Sequence, residues 1–364
     1  MRGEVKISDA INRKLFMKNF LKLLMVSVAV ATLFITAACR ADDLYHYVTQ
    51  IPIGGESRWD YLSIDPTARR LYVSHSTEVV VIDLRNNQIV GEITNTPGVH
   101  GVAVAPELGL GVTSNGRENK GGIVDLKTLQ TLSKVDTSEG PDGFCYNPAR
   151  QEAYLFCGRA NAATVVDVKG QKVIATIPLD GRPEFPQADP IANRVYDNIE
   201  SKSEVAEIDG DAHTVITNWP IAPGESASGM AIDVKNHRLF LGCDNEMMVM
   251  MDNTSGNVVA TVPIGKGVDA NAFDPGTQLA FASCGDGTTI IAHEDAPDKL
   301  TVVQKLKTER GARTMALDPV THNIYLATAQ MDTSTNQPSG GGERRRMRFV
   351  PNTFKILVYG MNKP

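Results

Sequence analysis

Short stretches of alternating apolar and polar residues recur along the chain, and each copy has the same internal order. An apolar strand ends in a turn residue, often aspartate followed by proline, and a second strand with aromatic and aliphatic residues follows, as in residues 313–327. The turn residues are spaced 40 to 44 residues apart, at Asp65, Ala105, Asn147, Asp189, Asp233, Asp274 and Asp318. An all-β repeat of about this length is typical of a propeller blade.

Seven copies of the repeat predict an all-β fold, a seven-bladed β-propeller. A blade is a four-stranded sheet that buries its faces against its neighbours, so the copies are expected to close into a ring. Residues 44–53 have the pattern of an outer strand although no blade precedes them, and the last copy lacks this strand. We therefore predict that the N-terminal strand completes the last blade, which closes the ring and removes an unpaired edge.

The repeat predicts a single propeller domain over residues 42–364. An insertion at 329–352 breaks the pattern because it is polar, Gly-rich and without hydrophobic periodicity. It includes Arg344, Arg345, Arg346 and Arg348. Segments of this kind form loops. The insertion is either a solvated loop or a lid or anion-binding arm over one face of the ring.

The first 41 residues have the pattern of an export signal. Lys18 and Lys22 precede an apolar run over residues 23–38, which is short for a membrane span and ends in small residues. Residues 35–39 resemble a lipobox, in which Cys39 would carry a lipid and become the mature N-terminus. The alternative is signal-peptidase cleavage near Ala41. Both predict an extracytoplasmic protein, either periplasmic or an outer-membrane lipoprotein that meets the membrane only through Cys39.

The charge balance argues against a nucleic-acid partner. The chain has 36 basic and 42 acidic residues, and six of the basic but only two of the acidic residues precede Cys39. The mature chain would therefore carry ten more acidic than basic residues, and its surface would repel a polyanion. We expect a monomer whose partner is a small polar ligand or a periplasmic protein.

Four further cysteines lie at Cys145, Cys157, Cys243 and Cys284. The last three occupy the same position at the end of a second strand. Equivalent positions in neighbouring blades are farther apart than the ~5.5–6 Å that separates the Cα atoms of a disulfide. We therefore predict buried free thiols, with a Cys243–Cys284 bridge as the alternative.

Alignment of the copies places one residue of each blade at the start of its innermost strand, five positions before the turn residue. These seven residues, here called the mouth ring, are Asp60, His100, Asp142, Glu184, Ser228, Asp269 and Arg313. Innermost strands line the channel, so the mouth ring is predicted to surround one end of it. The loops after the second strands open onto the same face and add His75, Arg117 and Arg159 to the candidate ligand-binding site. Strand pairing around the Asp65 turn places His75 beside Asp60.

The mouth ring is compatible with two kinds of chemistry. The candidate ligands for a divalent metal ion are Asp60, His100, Asp142, Glu184 and Asp269. Such an ion would act as a Lewis acid in a lactonase-like or esterase-like hydrolase, with His100 as a ligand or general base. Alternatively, the carboxylates pair with Arg313, Arg117, Arg159 and water and form a hydrated polar plug. A third alternative is an acidic face that binds a small polar ligand or a protein partner without catalysis. The sequence contains no nucleophile elbow, Cys-x-x-Cys, haem-attachment motif or phosphate loop, so the catalytic residues and the cofactor stay unknown.

The repeat copies resemble those of a known family. Residues 71–74 (Leu-Tyr-Val-Ser) and 324–327 (Ile-Tyr-Leu-Ala) follow Asp-Pro turns, and residues 258–265 read Val-Val-Ala-Thr-Val-Pro-Ile-Gly. Over residues 44–360 this pattern resembles the YVTN-repeat, YncE-like β-propeller family. No copy retains all four letters Tyr-Val-Thr-Asn, so the resemblance transfers no catalytic residue.

The resemblance implies a seven-bladed ring that is usually exported. The family includes binding proteins, surface-layer proteins, lactonases and parts of redox enzymes, so it does not decide the function. Three functions are compatible with it: an exported binding or scaffold protein, a metal-dependent hydrolase, and an accessory subunit of a periplasmic redox enzyme.

Overall fold

The computed structural model describes residues 43–56, 58–332 and 349–362. In these ranges the chain forms 28 strands, numbered here in chain order, and two short 3₁₀ helices at Pro106–Leu108 and Glu200–Lys202. The strands form seven four-stranded antiparallel sheets. The predicted all-β, seven-bladed β-propeller is therefore confirmed.

Each blade contains an inner, a second, a third and an outer strand. The inner strands of blades one to seven are β2 (Leu62–Asp65), β6 (Val99–Ala105), β10 (Pro141–Asn147), β14 (Pro183–Asp189), β18 (Ala227–Asp233), β22 (Val268–Asp274) and β26 (Thr314–Leu317). The second strands are β3 (Arg70–His75), β7 (Leu110–Asn115), β11 (Glu152–Cys157), β15 (Arg194–Ile199), β19 (Arg238–Cys243), β23 (Leu279–Cys284) and β27 (Ile324–Thr328). The third strands are β4 (Glu78–Asp83), β8 (Lys120–Asp125), β12 (Ala162–Asp167), β16 (Glu204–Asp209), β20 (Met247–Asp252), β24 (Thr288–Ala296) and β28 (Lys355–Met361). The outer strands are β5 (Gln88–Ile93), β9 (Thr131–Asp136), β13 (Lys172–Pro178), β17 (Thr214–Pro220), β21 (Val258–Pro263), β25 (Lys299–Lys307) and, in blade seven, β1 (Tyr45–Pro52).

The N-terminal strand closes the ring, as the sequence predicts. Strand β1 pairs with β28 from Tyr45 opposite Met361 to Pro52 opposite Lys355, so blade seven is built from both ends of the propeller. The inner strands of successive blades contact one another, and β26 contacts β2. Closure in this way leaves no blade without a neighbour on either face.

Tyr45 anchors strand β1, the strand that closes the ring, to blades six and seven. Its side chain is fully buried, and its hydroxyl donates to the carbonyl of His322 at 2.7 Å. Its backbone exchanges two hydrogen bonds with the side-chain amide of Gln304 in β25, at 2.7 and 2.8 Å. Its ring meets the edge of Phe281 at a centroid distance of 5.3 Å. The closing strand is therefore held by packing as well as by its sheet hydrogen bonds.

Apolar clusters fill the space between neighbouring blades. One cluster joins Ile51, Leu71 and Val80 to Tyr325 and Ile356, and thus covers the junction of blades one and seven. Cys243 and Cys284 are fully buried in such clusters, Cys157 is also fully buried, and Cys145 is partly buried. All four thiols are free, as predicted, and the alternative Cys243–Cys284 bridge does not form.

The aspartates at strand ends stabilise turns. Asp65 accepts hydrogen bonds from backbone N–H groups of the turn that follows the inner strand, and Asp125 does so after the third strand.

The face that carries the turns after the inner strands also has ion pairs between blades. Arg69 of blade one donates two hydrogen bonds to the carboxylate of Asp318 in blade seven, from Nη1 at 2.5 Å and from Nη2 at 2.6 Å.

Two predicted segments fall outside the described residues. They are the export segment over residues 1–41 with Cys39, and the central part of the insertion with its four arginines. The base of the insertion is described, where Met331 pairs with Phe349. In the described ranges, no helix has the length and apolar character that a membrane crossing requires.

Candidate functional site

Irregular strand pairing leaves four of the seven mouth-ring residues outside the regular strand ladder. The register between inner and second strands skips His100, Ser228 and Asp269, and it also skips Asp142 with the residue after it. A residue left out of the ladder in this way is turned out of the regular pleat. The same local irregularity, repeated from blade to blade, therefore brings polar side chains to the channel mouth.

Asp60, His100 and Asp142 form a compact group that joins blades one to three. Nδ1 of His100 lies 2.6 Å from Oδ2 of Asp60 and 3.0 Å from Oδ1 of Asp142. The three side chains are 31 to 33 % exposed, so they border solvent while each contacts a partner. The backbone N–H of Asp60 donates to the Ser74 hydroxyl at 2.8 Å, which positions the carboxylate.

The two carboxylates hold a proton on His100. Burial disfavours the imidazolium, but the hydrogen bonds and charges of Asp142 and Asp60 outweigh burial and raise the pKa of His100 to about 11. Burial also raises the pKa of Asp60; the charge of Asp142 adds to this rise, while His100 opposes it. A Cβ atom at Gly116 would lie only 2.6 Å from Nε2 of His100, so the missing side chain of Gly116 makes room for the ring.

Tyr61, the residue after Asp60, reaches across the channel to blade four. Its hydroxyl donates to Oε1 of Glu184 at 2.9 Å and so connects blade one to blade four. Its ring packs against Phe144 and Phe185 at centroid distances of 5.3 and 5.1 Å. Burial, with the charges of the other ring carboxylates, raises the pKa of Glu184 to about 8. Arg182 completes this side of the mouth through a 3.2 Å ion pair with Glu184.

Asp269 and Arg313 form the remaining ion pair of the ring, at 3.3 Å. Burial raises the pKa of Asp269 to about 7, although the charge of Arg313 opposes the rise. A cavity of about 10 Å³ lies between Asp60, Glu184 and Asp269, which is room for about one water molecule. The centre of the mouth is therefore largely filled by its own polar side chains.

A larger cleft of about 430 Å³ opens beside this filled centre. The lining residues that matter here are Arg58, Trp59, Asp60, His100, Arg117 and Arg159. Arg159 pairs with Glu139 at 3.1 Å and donates to the carbonyl of Gly116. Pockets for small molecules have volumes of roughly 300–1,000 Å³, so this cleft is of the appropriate size.

The glycines at the start of blades two and three position the cleft arginines. Gly98 has a φ of +66°, and a Cβ there would lie 2.5 Å from Cγ of Arg117. Gly140 repeats the arrangement under Arg159, with a φ of +73°. The left-handed backbone and the missing side chain allow each arginine stem to cross directly over the glycine.

His75 has a different environment from the one that strand pairing suggests. Its ring stacks on Phe354 at 5.1 Å and is buried. Nε2 lies 2.6 Å from the carbonyl of Glu56 and Nδ1 lies 3.1 Å from Glu78. The backbone register does place residue 75 near residue 60, but this side chain belongs to the junction of blades one and seven.

The structure brings most of the candidate site residues together. Asp60, His100 and Asp142 are in contact, Glu184 is joined to blade one through Tyr61, and Asp269 pairs with Arg313. Ser228 is buried in blade five. Arg117 and Arg159 line the cleft with Asp60 and His100.

The repeat alignment missed Arg58, Trp59 and Tyr61. All three are neighbours of Asp60 in the sequence. They depart from the repeat, because the position after the ring residue is glycine in blades two, three and five, whereas blade one has Tyr61. A comparison of the blades at that position would have found the aromatic side chain that crosses the channel.

No protein-family model matches the chain, and no curated protein matches it significantly. Solved structures do match. A chain of the structure titled Kuenenia stuttgartiensis hydrazine synthase is similar with a TM-score of 0.63 and 16% identity, over 77% of this chain and 94% of that chain. A chain of the crystal structure of the mitotic checkpoint complex is similar with a TM-score of 0.69 and 12% identity, over 87% and 91%. Both are propellers, and at these identities the likeness concerns the fold alone.

Proposed function

We propose that the protein is a binding protein whose ligand, a small polar molecule, occupies the cleft at the channel mouth. The observation that carries the proposal is the 430 Å³ cleft, which is open to solvent and bordered by charged side chains and one aromatic ring. A concave site with a few convergent polar groups is the usual form of a small-molecule site. The propeller supplies rigid strand ends from which these side chains project.

A small ligand fits the cleft better than a protein partner does. A stable protein interface buries roughly 800 Å² on each partner and has an apolar centre. The cleft is instead concave and strongly charged, and its lining comes from blades one to three only. A protein partner remains an outcome of the experiment below.

Trp59 provides a direct test of this proposal. The chain contains two tryptophans, Trp59 in the cleft and Trp219 in the outer strand of blade four. A Trp219→Phe variant therefore reports the environment of Trp59 alone. We expect titration with a panel of small polar molecules to change its fluorescence in a saturable manner for at least one ligand class.

The complementary variant serves as the control. Trp59→Phe leaves Trp219, which stacks on Tyr196 at 6.1 Å, as the sole tryptophan. The same ligand should leave its emission unchanged. If no member of a broad panel alters the emission of Trp59, or if both tryptophans respond alike, the cleft is not the ligand site and a protein partner should be sought by pull-down.

A metal-dependent hydrolase is the second candidate function, favoured by one observation. Asp60, His100 and Asp142 each offer a ligand atom, and these atoms all lie within 4.8 Å of one another. Two carboxylates and an imidazole suit a divalent transition metal. Glu184 and Asp269 are not in this group. The ion would have to displace the proton that Asp60 and Asp142 hold on His100, so binding would weaken as the pH falls.

Metal content distinguishes this candidate. If it is correct, the purified protein should contain about one divalent ion per chain by mass spectrometry, since one group of three ligands is available. Asp142→Asn should lose the ion, whereas Asp269→Asn, a ring carboxylate outside the group, should retain it. Equal metal content in both variants and the wild-type protein, or none in any of them, would exclude the group as a metal site.

We also propose that the chain is a YVTN-repeat, YncE-like propeller that acts outside the cytoplasm. The repeat motifs and the basic-then-apolar N-terminal segment support this proposal. Cell fractionation of the full chain tests it, and a cytoplasmic protein of unprocessed mass would refute export. The role of an accessory subunit of a redox enzyme has only the shared fold in its favour, and co-purification of a redox partner would be its test.

A further inference from the structure

We propose that the cleft selects small organic anions, such as carboxylates or phosphate esters, through Arg58 and Arg117. This inference rests on the proposed binding function and names the ligand class of the same site. It differs from what the sequence suggests, because four of the seven mouth-ring residues are carboxylates and would favour a cation. The expected ligand is an anion and not a cation because the carboxylates near the cleft are paired within the protein, whereas two of its arginines are not.

The carboxylates near the cleft are engaged by partners of their own. Asp60 and Asp142 share His100, at 2.6 and 3.0 Å from its Nδ1 atom. Glu139, outside the lining, pairs with Arg159. Among the lining residues, Asp60 is therefore the one carboxylate, and the His100 imidazolium offsets its charge.

Two guanidinium groups in the cleft, unlike these carboxylates, have no charged partner among the described residues. Within the described residues, neither Arg58 nor Arg117 forms an ion pair or a side-chain hydrogen bond. Both side chains are exposed at the cleft wall, Arg58 from blade one and Arg117 from blade two. A guanidinium has five N–H donors in a planar fork that matches a carboxylate or phosphate. An anion between blades one and two would satisfy donors that have no partner among the described residues.

The position of Arg117 is set by the backbone. Its stem lies over Gly98, where a side chain would collide with it. Packing of the stem restricts the guanidinium before a ligand arrives, which lowers the entropic cost of binding. Trp59 also lines the cleft; one face of its ring stacks on Phe354 at 4.8 Å, and the part that borders the cleft offers apolar surface to the carbon part of an organic anion. These features describe a site for a molecule with an anionic group and an apolar portion.

The test uses the full chain with Trp219→Phe and compares ligands of matched size but different charge. Succinate, neutral succinamide and cationic putrescine share a four-carbon chain, and inorganic phosphate tests whether a carboxylate is required. We expect succinate or phosphate to bind at low ionic strength, where charge interactions are least screened. Arg117→Gln and Arg58→Gln should each weaken the anion's affinity by about tenfold.

Arg182→Gln is the matched control. It removes the same charge at the same mouth, but Arg182 is already paired with Glu184 and Glu200 and lies outside the cleft lining. Its effect on affinity should be less than about twofold if the cleft arginines act by contact and not through net charge. Thermal unfolding of each variant confirms that the fold is retained.

The outcomes separate this inference from the function on which it rests. Binding of putrescine or succinamide in preference to the anions, with no loss in Arg117→Gln, would overturn anion selectivity while leaving a ligand site in the cleft. Equal losses in Arg117→Gln and Arg182→Gln would also overturn it, because only bulk charge would then matter. No response of Trp59 to any ligand of either charge would overturn both proposals.

Discussion

Replacement of Tyr45 by alanine is expected to lower the free energy of unfolding by about 3–5 kcal/mol, the range for removal of a large buried aromatic side chain. Tyr45 is fully buried, it packs on Phe281 of blade six, and its hydroxyl donates to the carbonyl of His322 in blade seven. Its loss would leave a cavity at the point where the N-terminal strand completes the ring. Chemical denaturation of the wild-type protein and the variant measures the effect.

Tyr47 is the matched control for this substitution. It lies two residues further along the same strand, but its side chain is 51% exposed and its ring only borders Tyr359 at 5.8 Å. Tyr47→Ala should cost no more than about 1 kcal/mol, in keeping with an exposed aromatic pair. Equal costs for the two substitutions would mean that strand pairing alone, and not the burial of Tyr45, stabilises the closure.

The closure was predictable because it is a property of the repeat. The turn residues recur at near-constant spacing, and a four-stranded unit that lacks its outer strand must obtain one elsewhere in the chain. The position of the mouth ring was predictable for the same reason. The inner strands start at corresponding positions of the repeat, so one alignment brings Asp60, His100 and Asp142 into contact and Asp269 next to Arg313.

The pairing of charges within the mouth was not predictable from the repeat. Alignment shows that Asp60, His100 and Asp142 are equivalent, but not that one imidazole bridges the two carboxylates. Nor does it show that Tyr61 reaches Glu184 across the channel. These contacts depend on side-chain rotamers and on residues that differ between blades. The alignment therefore predicts an acidic face, whereas the cleft lining includes Arg58 and Arg117, which have no ion-pair partner among the described residues.

His75 illustrates the same limit. Strand pairing correctly predicts its backbone position but not the direction of its side chain. The imidazole of His75 lies at the junction with blade seven, because it stacks on Phe354 there and forms a hydrogen bond with the backbone carbonyl of Glu56. Both partners lie outside the second-strand pattern from which the prediction was made.

Removal of Arg69 should destabilise the ring by about 3–5 kcal/mol, as expected when one partner of a buried ion pair is deleted. Arg69 and Asp318 join blade one to blade seven through two hydrogen bonds of 2.5 and 2.6 Å, and the Asp318 side chain is fully buried. Arg69→Ala would leave that carboxylate buried without its cation. Arg85→Ala is the control, because Arg85 makes a similar pair with Asp83 but is 65% exposed. Its loss should cost less than about 1 kcal/mol.

The pH dependence of Arg69→Ala should identify the cause of its instability. Burial disfavours the Asp318 carboxylate, but hydrogen bonds from Arg69, Thr321 and Val320 outweigh it and lower the pKa of Asp318. A carboxyl whose pKa is lower in the folded state stabilises the fold above its unfolded pKa of about 3.9, and this contribution is lost as the pH falls through the folded value. Without Arg69 the buried carboxyl accepts a proton more readily. The stability difference between wild type and Arg69→Ala should therefore be largest near neutral pH and shrink as the pH falls through the range in which the unpaired Asp318 carboxyl takes up a proton. A difference that stays constant across this range would show that Arg69 acts by packing and not through its charge.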